Sequence, residues 1–158
     1  MIYSAVTIAD EILKIAKRRE IELTPLQLMK LVYISHGWSF PIRKSDLFTD
    51  RIEAWRYGPV IPDLYHATKQ FGRQAIPFSK IRDDLPSAVD PDTQRFLENV
   101  FEQYGRLSGF ALSSLTHKRG TPWEQVYEDG MFGIEIPDSV IRDHYMAKFN
   151  EQQSSSTA

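Results

Sequence analysis

The segment Glu53-Ala54-Trp55-Arg56-Tyr57-Gly58-Pro59-Val60-Ile61-Pro62 concentrates bulky and conformationally restricted residues more than any other stretch of the chain. Trp55 and Tyr57 are two positions apart, and the Gly58-Pro59 pair follows them as a stiff turn. Tryptophan and tyrosine present a large surface with only two side-chain torsions to restrict, so they suit both cores and binding surfaces. The segment therefore predicts a rigid backbone that displays two aromatic side chains.

The residues before this turn alternate between apolar and other side chains. Over residues 47–57 the pattern has a period near two, with Ile52 and Ala54 on one face, and it predicts a short β-strand or extended arm. The opposite face carries Glu53, Trp55 and Tyr57. If that face were fully buried, the Glu53 carboxylate would need a cationic partner such as Lys30 or an arginine. We therefore expect partial exposure of this face.

Helical patterns surround the segment, and many of them start with a capping residue followed by proline. The spacing predicts a mainly α fold of about six to seven helices. The expected helices begin at Thr7, Pro25, Pro62, Pro91, Leu107, the Thr121–Glu124 capping box, and near Pro137. The second of them starts with a Thr24–Gln27 capping box and should end no later than Pro41. The next three are expected to end before Gly72, before Gly105 and at His117. Residues 73–89 read as an irregular connector. We expect one domain over residues 1–150 and a flexible tail over residues 151–158.

Composition excludes several classes of protein. The chain has 158 residues, of which 42% are hydrophobic, and this suffices for one core without metal or disulfide support. A net charge of −2 lacks the basic excess typical of nucleic-acid-binding proteins, so it does not favour a nucleic-acid partner. The chain has no cysteine, which removes disulfides, thiolate nucleophiles and cysteine zinc sites. No apolar run reaches about 18 residues, and charged residues interrupt the N-terminal segment, so we expect a cytoplasmic protein without membrane contact.

No sequence motif for catalysis is present. The four histidines lie far apart without metal-ligand spacing, and phosphate-loop, dinucleotide and serine-elbow motifs do not occur. We therefore expect no metal, no cofactor and no catalytic residue. One alternative is a small enzyme centred on His117 with Thr116 nearby. A structural role for His117 is favoured, because a histidine near a helix C-terminus can satisfy terminal carbonyls.

A second alternative is a DNA-binding regulator that uses the first two helices as a helix-turn-helix. The basic run of Lys14, Lys17, Arg18 and Arg19 could contact phosphates, although cations are also favoured in the last turn of any helix. Only Gln27 and Lys30 in the second helix have side chains suited to reading bases. This alternative therefore has weak support.

Three blocks of sequence, in order, resemble the Panacea domain family of SocA-like and GepA-like antitoxins. The blocks are residues 26–33, residues 53–62 followed by Leu64-Tyr65, and Leu115-Thr116-His117 followed by Pro122-Trp123. The resemblance extends from about Ile8 to Tyr145. It implies a mainly helical antitoxin, often phage-associated, that is not an enzyme and neutralises a cognate protein toxin by direct binding. For SocA-like members it also implies delivery of the toxin to a ClpXP-type protease.

The resemblance and the aromatic segment together suggest roles for particular residues, while the oligomeric state stays open. The predicted toxin contacts are Trp55, Arg56, Tyr57, Gly58, Pro59 and Ile61. The residues expected to maintain the domain are Lys30, Tyr33, Glu53, Thr116, His117, Pro122 and Trp123.

Overall fold

Seven α-helices and a small antiparallel sheet make up the part of the chain that the computed structural model describes, residues 2–78, 81–82, 84–86 and 88–157. The helices are α1 (Ala5–Arg18), α2 (Pro25–Arg43), α3 (Pro62–Thr68), α4 (Pro91–Tyr104), α5 (Gly109–His117), α6 (Pro122–Val126) and α7 (Asp138–Thr157). A single 3₁₀ turn, Lys69–Phe71, extends α3. The strands are β1 (Glu53–Trp55), β2 (Gly58–Val60) and β3 (Ile134–Glu135). The predicted mainly α fold is confirmed.

Capping residues start the helices as the sequence predicts at several positions. The backbone N–H of Gln27 donates to Thr24 Oγ1 at 3.3 Å, and Gln27 Oε1 accepts from the Thr24 backbone N–H at 2.9 Å. This reciprocal pair satisfies two N–H groups that the helix leaves unpaired. Asp90 caps α4 by accepting from the backbone N–H of Thr93. The predicted starts at Pro25, Pro62 and Pro91 are confirmed.

Three predicted helix starts differ from the structure in detail. Helix α1 begins at Ala5 and not at Thr7, because Ser4 supplies the cap and accepts from the backbone N–H of Thr7. At α6, Thr121 accepts from the backbone N–H of Glu124, but the Glu124 side chain accepts from Gly120. The second half of the expected capping box is therefore displaced by one residue. Helix α5 begins at Gly109, after the cap residue Ser108.

Two helices run further than the sequence predicts. Helix α2 includes Pro41 and ends at Arg43, so Pro41 was wrong as the latest possible end. The proline lies in the last turn, where it interrupts little of the remaining hydrogen-bond ladder. Helix α7 continues to Thr157, through most of the segment that composition predicts as a tail; residue 158 lies outside the described part. The predicted connector of residues 73–89 is also only partly described.

The sheet has the order β2-β1-β3, and both pairings are antiparallel. Trp55 pairs with Gly58, so β1 and β2 form a hairpin with Arg56 and Tyr57 at its tip. The predicted extended arm is present, but its β-strand covers only Glu53–Trp55. Gly58 and Pro59, which were expected to form the turn, lie in β2. Ile52 and Ala54 are 2% and 1% exposed, which confirms the predicted inward face.

Helix α2 lies at the centre of the core and contacts most of the other helices. Gly37 of α2 meets the ring of Tyr145 on α7 so closely that an added Cβ would lie 2.2 Å from Cε2. The glycine therefore permits the two helices to approach each other. At the basic end of α1, Arg18 pairs with Glu98 at 3.2 Å and Arg19 pairs with Glu102 on α4. These cations have partners within the fold.

Candidate functional site, a cavity beside the hairpin

A cavity of about 480 Å³ opens beside the β1–β2 hairpin. Its walls come from the start of α2, the hairpin, α3 with its 3₁₀ extension, and the segment of residues 127–132. The lining residues are Pro25, Leu26, Met29, Lys30, Ala54, Trp55, Arg56, Tyr57, Val60, Tyr65, Thr68, Lys69, Gly72, Tyr127, Met131 and Phe132. Most of these side chains are apolar or aromatic, which is typical of cavities that bind ligands or partner side chains.

Large apolar side chains stand exposed around the cavity. Phe132 is 87% exposed, Tyr57 70%, and Met131 and Leu26 about half. Trp55 is half-buried in the wall, where its ring lies 5.0 Å from the Tyr65 ring and 5.8 Å from the Phe132 ring, measured between centroids. A contiguous group of exposed apolar side chains of this kind marks an interaction surface more often than a single exposed residue does.

Three side chains from three helices hold the hairpin by its backbone carbonyls. Trp123 Nε1 of α6 donates to Trp55 O at 2.5 Å, and Lys30 Nζ of α2 donates to Pro59 O at 2.9 Å. Between them, Ser113 Oγ of α5 donates to the carbonyl oxygen of Tyr57 at 3.3 Å. The three carbonyls belong to alternate residues of the hairpin. The aromatic side chains are therefore displayed from a backbone that is fixed at both strands and at the tip.

Gly58 is required by its backbone conformation, and Lys30 and His117 pack close to it. Its φ is +124°, a value that L side chains rarely adopt, and a Cβ there would lie 2.9 Å from Lys30 Nζ and 3.6 Å from His117 Nδ1. The sequence predicted a turn at this glycine. The tertiary structure adds the reason, which is that Lys30 and His117 pack against it from the other side.

Lys30 is a buried cation without an ionic partner. Its side chain is part of the cavity wall and the residue is 2% exposed. Pro59 O accepts its hydrogen bond, and no carboxylate among the described residues pairs with it. Burial without a counter-charge lowers the pKa of Lys30 from 10.5 to about 8. Burial of the Lys30 ammonium group therefore costs desolvation free energy, and no ion pair among the described residues offsets this cost.

Glu53 is only partly buried, as the strand pattern predicts, and it pairs with Arg51 and not with Lys30. Arg51 Nε donates to Glu53 Oε2 at 2.8 Å, and Trp55 Nε1 donates to Glu53 Oε1 at 2.9 Å. Desolvation alone would raise the pKa of the Glu53 carboxyl, but these two donors outweigh it and lower the pKa. The carboxylate orients the Trp55 indole at the cavity wall.

Thr116 and His117 have local structural partners. Thr116 Oγ1 donates to the carbonyl oxygens of Leu112 and Ser113, and His117 Nδ1 lies 2.5 Å from the carbonyl oxygen of Ser113. The His117 ring also contacts the edge of the Trp123 ring at 5.4 Å. Pro122 is buried at the start of α6. These contacts support the structural interpretation of the block.

The predicted toxin contacts differ in accessibility. Arg56 and Tyr57 are exposed and Trp55 is half-buried, whereas Gly58 and Pro59 are buried. Ile61 is fully buried, and its N–H contacts Met29 Sδ at 3.3 Å, so it belongs to the core and is removed from the exposed surface. Tyr33 is also a core residue, 1% exposed. Burial keeps its hydroxyl protonated by raising the pKa.

Sequence reasoning missed several residues that build the site. Ser113 is not part of a recognisable sequence motif. Its hydrogen bond to the hairpin forms only because α5 lies close to the hairpin tip. The cavity residues that were not predicted as contacts include Leu26, Tyr65, Lys69, Tyr127, Met131 and Phe132. The exposed pair Met131-Phe132 could have been found from the sequence, because it is apolar within an otherwise polar loop.

The structure does not favour the helix-turn-helix alternative. Gln27 is engaged by Thr24 and donates to Leu107 O at 3.2 Å, while Lys30 is buried under the hairpin. Neither side chain is free to read bases. Within the described residues, no group of three potential metal ligands converges, and no helix is both long and apolar enough to cross a bilayer.

Comparison with known proteins places this site in a family. The model for "Antitoxin SocA-like, Panacea domain" matches residues 28–124, which include Lys30, the hairpin and its anchors on α5 and α6. The chain belongs to the SocA-like Panacea domain family. Antitoxin SocA of Caulobacter vibrioides (strain NA1000 / CB15N) is 30% identical over 151 residues, covering 87% of this chain and 80% of that protein.

The matched region of the Panacea domain covers the anchored hairpin but not the whole cavity. Leu26 at the start of α2 and the segment of residues 127–132 lie outside residues 28–124. No solved structure matches the chain significantly. The family model therefore spans the parts that fix the hairpin, while part of the cavity wall comes from flanking sequence.

Proposed function

We propose that this Panacea domain is an antitoxin that neutralises a cognate protein toxin by direct contact at the cavity, without a catalysed reaction. The observation that carries the proposal is the cavity of about 480 Å³ with exposed Tyr57 and Phe132 beside it. The similarity to Antitoxin SocA supports the antitoxin role.

The anchored hairpin suits a protein interface for a thermodynamic reason. Binding costs free energy when flexible side chains and loops become ordered, and a surface that is already fixed avoids part of this cost. Here the carbonyls of Trp55, Tyr57 and Pro59 are held before any partner arrives. Tryptophan, tyrosine and arginine are enriched among residues that dominate binding energy, which makes Trp55, Arg56 and Tyr57 suitable anchors.

The same contact allows two routes to neutralisation in the cytoplasm. The antitoxin can block the toxin by occupying its surface, or it can also deliver the toxin to a ClpXP-type protease. The two routes predict different toxin levels. Simple occupation leaves the toxin abundant but harmless, whereas delivery shortens its half-life in a strain that has the protease and not in a strain that lacks it.

Co-expression tests the proposal. The protein encoded beside this gene is expressed from an inducible promoter, alone and together with the antitoxin, and growth, toxin abundance and co-purification are measured. We expect growth arrest by the neighbouring protein alone, rescue by the antitoxin, and recovery of a stable complex. A neighbouring protein that is harmless alone, or that still arrests growth beside the antitoxin, contradicts the proposal.

A further inference from the structure

The cavity has an uneven distribution of charge. Its lining includes the cations Lys30, Arg56 and Lys69 and no carboxylate. None of the three forms an ion pair with a carboxylate of the described chain. Two acidic groups on elements that form the wall have other partners: Glu53 pairs with Arg51, and Asp129 accepts from the Tyr127 hydroxyl. The cavity thus combines an apolar interior with unneutralised positive charge.

We propose that this cavity binds a segment of the partner protein in which a large apolar side chain is flanked by carboxylates. The apolar side chain packs against Trp55 and Tyr65, and the carboxylates pair with Arg56 and Lys69 at the exposed edge and with Lys30 at the wall. This inference rests on the proposed function, since it names the chemistry of the toxin segment that the antitoxin contacts.

The burial of Lys30 supports this assignment. An ammonium group in a desolvated site interacts more strongly with an anion than it does in water, because the effective dielectric constant is lower. Among the described residues Lys30 has one acceptor, Pro59 O, although an ammonium group has three donors. A carboxylate from a partner would supply both the missing acceptor and the missing counter-charge.

The exposed cations add to the same preference. Arg56 lies over the Tyr57 ring, with Cζ 5.5 Å from the centroid, so its guanidinium is placed beside an exposed aromatic anchor. Lys69 also lines the cavity, from the 3₁₀ turn after α3. Charges at the edge of an interface mainly increase the association rate and select partners of opposite charge.

Single-stranded nucleic acid also binds aromatic and basic surfaces, but this chain fits that class poorly. Nucleic-acid sites use a row of cations that follows the phosphate backbone. Here the net charge is −2, and among the described residues three cations line the cavity. A protein segment with carboxylates beside an apolar anchor matches the combination better.

Peptide titration of the full chain tests the inference independently of toxicity. The probe is a short capped peptide with the core Asp-Phe-Leu-Asp, and its matched control has Asn-Phe-Leu-Asn. Binding is measured by tryptophan fluorescence and by amide NMR shifts at low and high salt. We expect the acidic peptide to bind at least about tenfold more tightly, to shift the Trp55 and Tyr57 signals, and to weaken with salt.

Charge-removal variants locate the effect. Arg56→Gln combined with Lys69→Gln should reduce affinity for the acidic peptide about tenfold and retain the weaker binding of the neutral peptide. Lys30→Met also removes a hairpin anchor and should weaken both peptides, so its test is the ratio of acidic to neutral affinity, which should fall. Arg95→Gln on α4, a helix that does not line the cavity, is the matched control and should change nothing.

Several results would overturn the inference. These are equal affinity for the two peptides, no perturbation of cavity signals at millimolar acidic peptide, shifts confined to other parts of the chain, or tighter binding of a short single-stranded oligothymidylate. If the neighbouring protein is not a toxin but the acidic peptide binds the cavity, the proposed function fails and the assigned chemistry of the site stands.

Discussion

The Nζ atom of Lys30 lies 2.9 Å from the carbonyl oxygen of Pro59, so a buried cation supports the second strand of the hairpin. The contact joins the block around α2 to the block around the hairpin. It also places positive charge next to Gly58 and near His117, the other titratable group that packs against this glycine. A structural contact and a candidate binding group therefore coincide in one side chain.

Lys30 should make stability depend on pH above neutrality. Its pKa is about 8 in the folded chain and 10.5 in the unfolded chain, so the unfolded state binds more protons between these values and stability rises with pH. Relative to Lys30→Met, the wild-type chain should gain about 3 kcal/mol in free energy of unfolding from pH 7 to 10.5. Urea unfolding of both proteins across this range measures the difference, and parallel curves would contradict the prediction.

The indole of Trp123 should be needed to fix the hairpin. Trp123→Phe keeps an aromatic ring stacked near Tyr127 but removes the N–H that donates to Trp55 O, at a cost of about 1 kcal/mol. Trp38→Phe is a matched control, because it removes the N–H that donates to the Tyr104 hydroxyl away from the hairpin. Both variants should lose similar stability in chemical unfolding, and only Trp123→Phe should weaken peptide binding. Equal binding losses in the two variants would argue against preorganisation.

Gly58→Ala should be more damaging than substitution of another glycine with positive φ. Gly120 has φ +86° and open space around it, so Gly120→Ala reports backbone strain alone. Gly58→Ala adds the contact with Lys30 Nζ, and we expect it to cost about 1–3 kcal/mol more. Thermal unfolding measures both. Combining Gly58→Ala with Lys30→Met should recover part of the excess, and strictly additive effects would show that the two residues do not interact.

Exposed aromatics at the cavity should matter for binding and not for folding. Tyr57→Ala and Phe132→Ala each remove a side chain that is mostly exposed, so unfolding free energy should change by less than about 0.5 kcal/mol. Neutralisation and toxin co-purification should nevertheless fall, by about thirtyfold in affinity for a dominant anchor. Phe110→Ala is the control, since Phe110 is 84% exposed but does not line the cavity. A control that loses as much affinity would place the interface elsewhere.

Local sequence signals predicted much of the helical framework. The Thr24–Gln27 capping box and the Asp90-Pro91 start are encoded within four residues, so no distant contact is needed to form them. Helix ends were less predictable. Helix α2 passes through Pro41 because a proline in the final turn disrupts few hydrogen bonds, and α7 continues into a polar segment whose composition predicts a tail.

The candidate site was predictable only in part. The shared face of Glu53, Trp55 and Tyr57 and its partial exposure follow from the strand pattern. The burial of Ile61 does not follow from this pattern, because its position in the core depends on the packing of α2 and its residue Met29. Ser113, Lys69 and residues 127–132 meet the hairpin through contacts distant in sequence, which a pattern of neighbouring residues does not encode.

The sequence by itself determined a mainly helical fold with a stiff aromatic segment, because capping, proline placement and local alternation act over a few residues. The resemblance of three sequence blocks, and not these local patterns, indicated the Panacea domain family. Only the tertiary structure decided that the segment is a hairpin held by Trp123, Ser113 and Lys30, and that it forms one wall of an apolar, cationic cavity. The physical reason is that hydrogen bonds to backbone carbonyls and the desolvation of Lys30 depend on how separate helices pack.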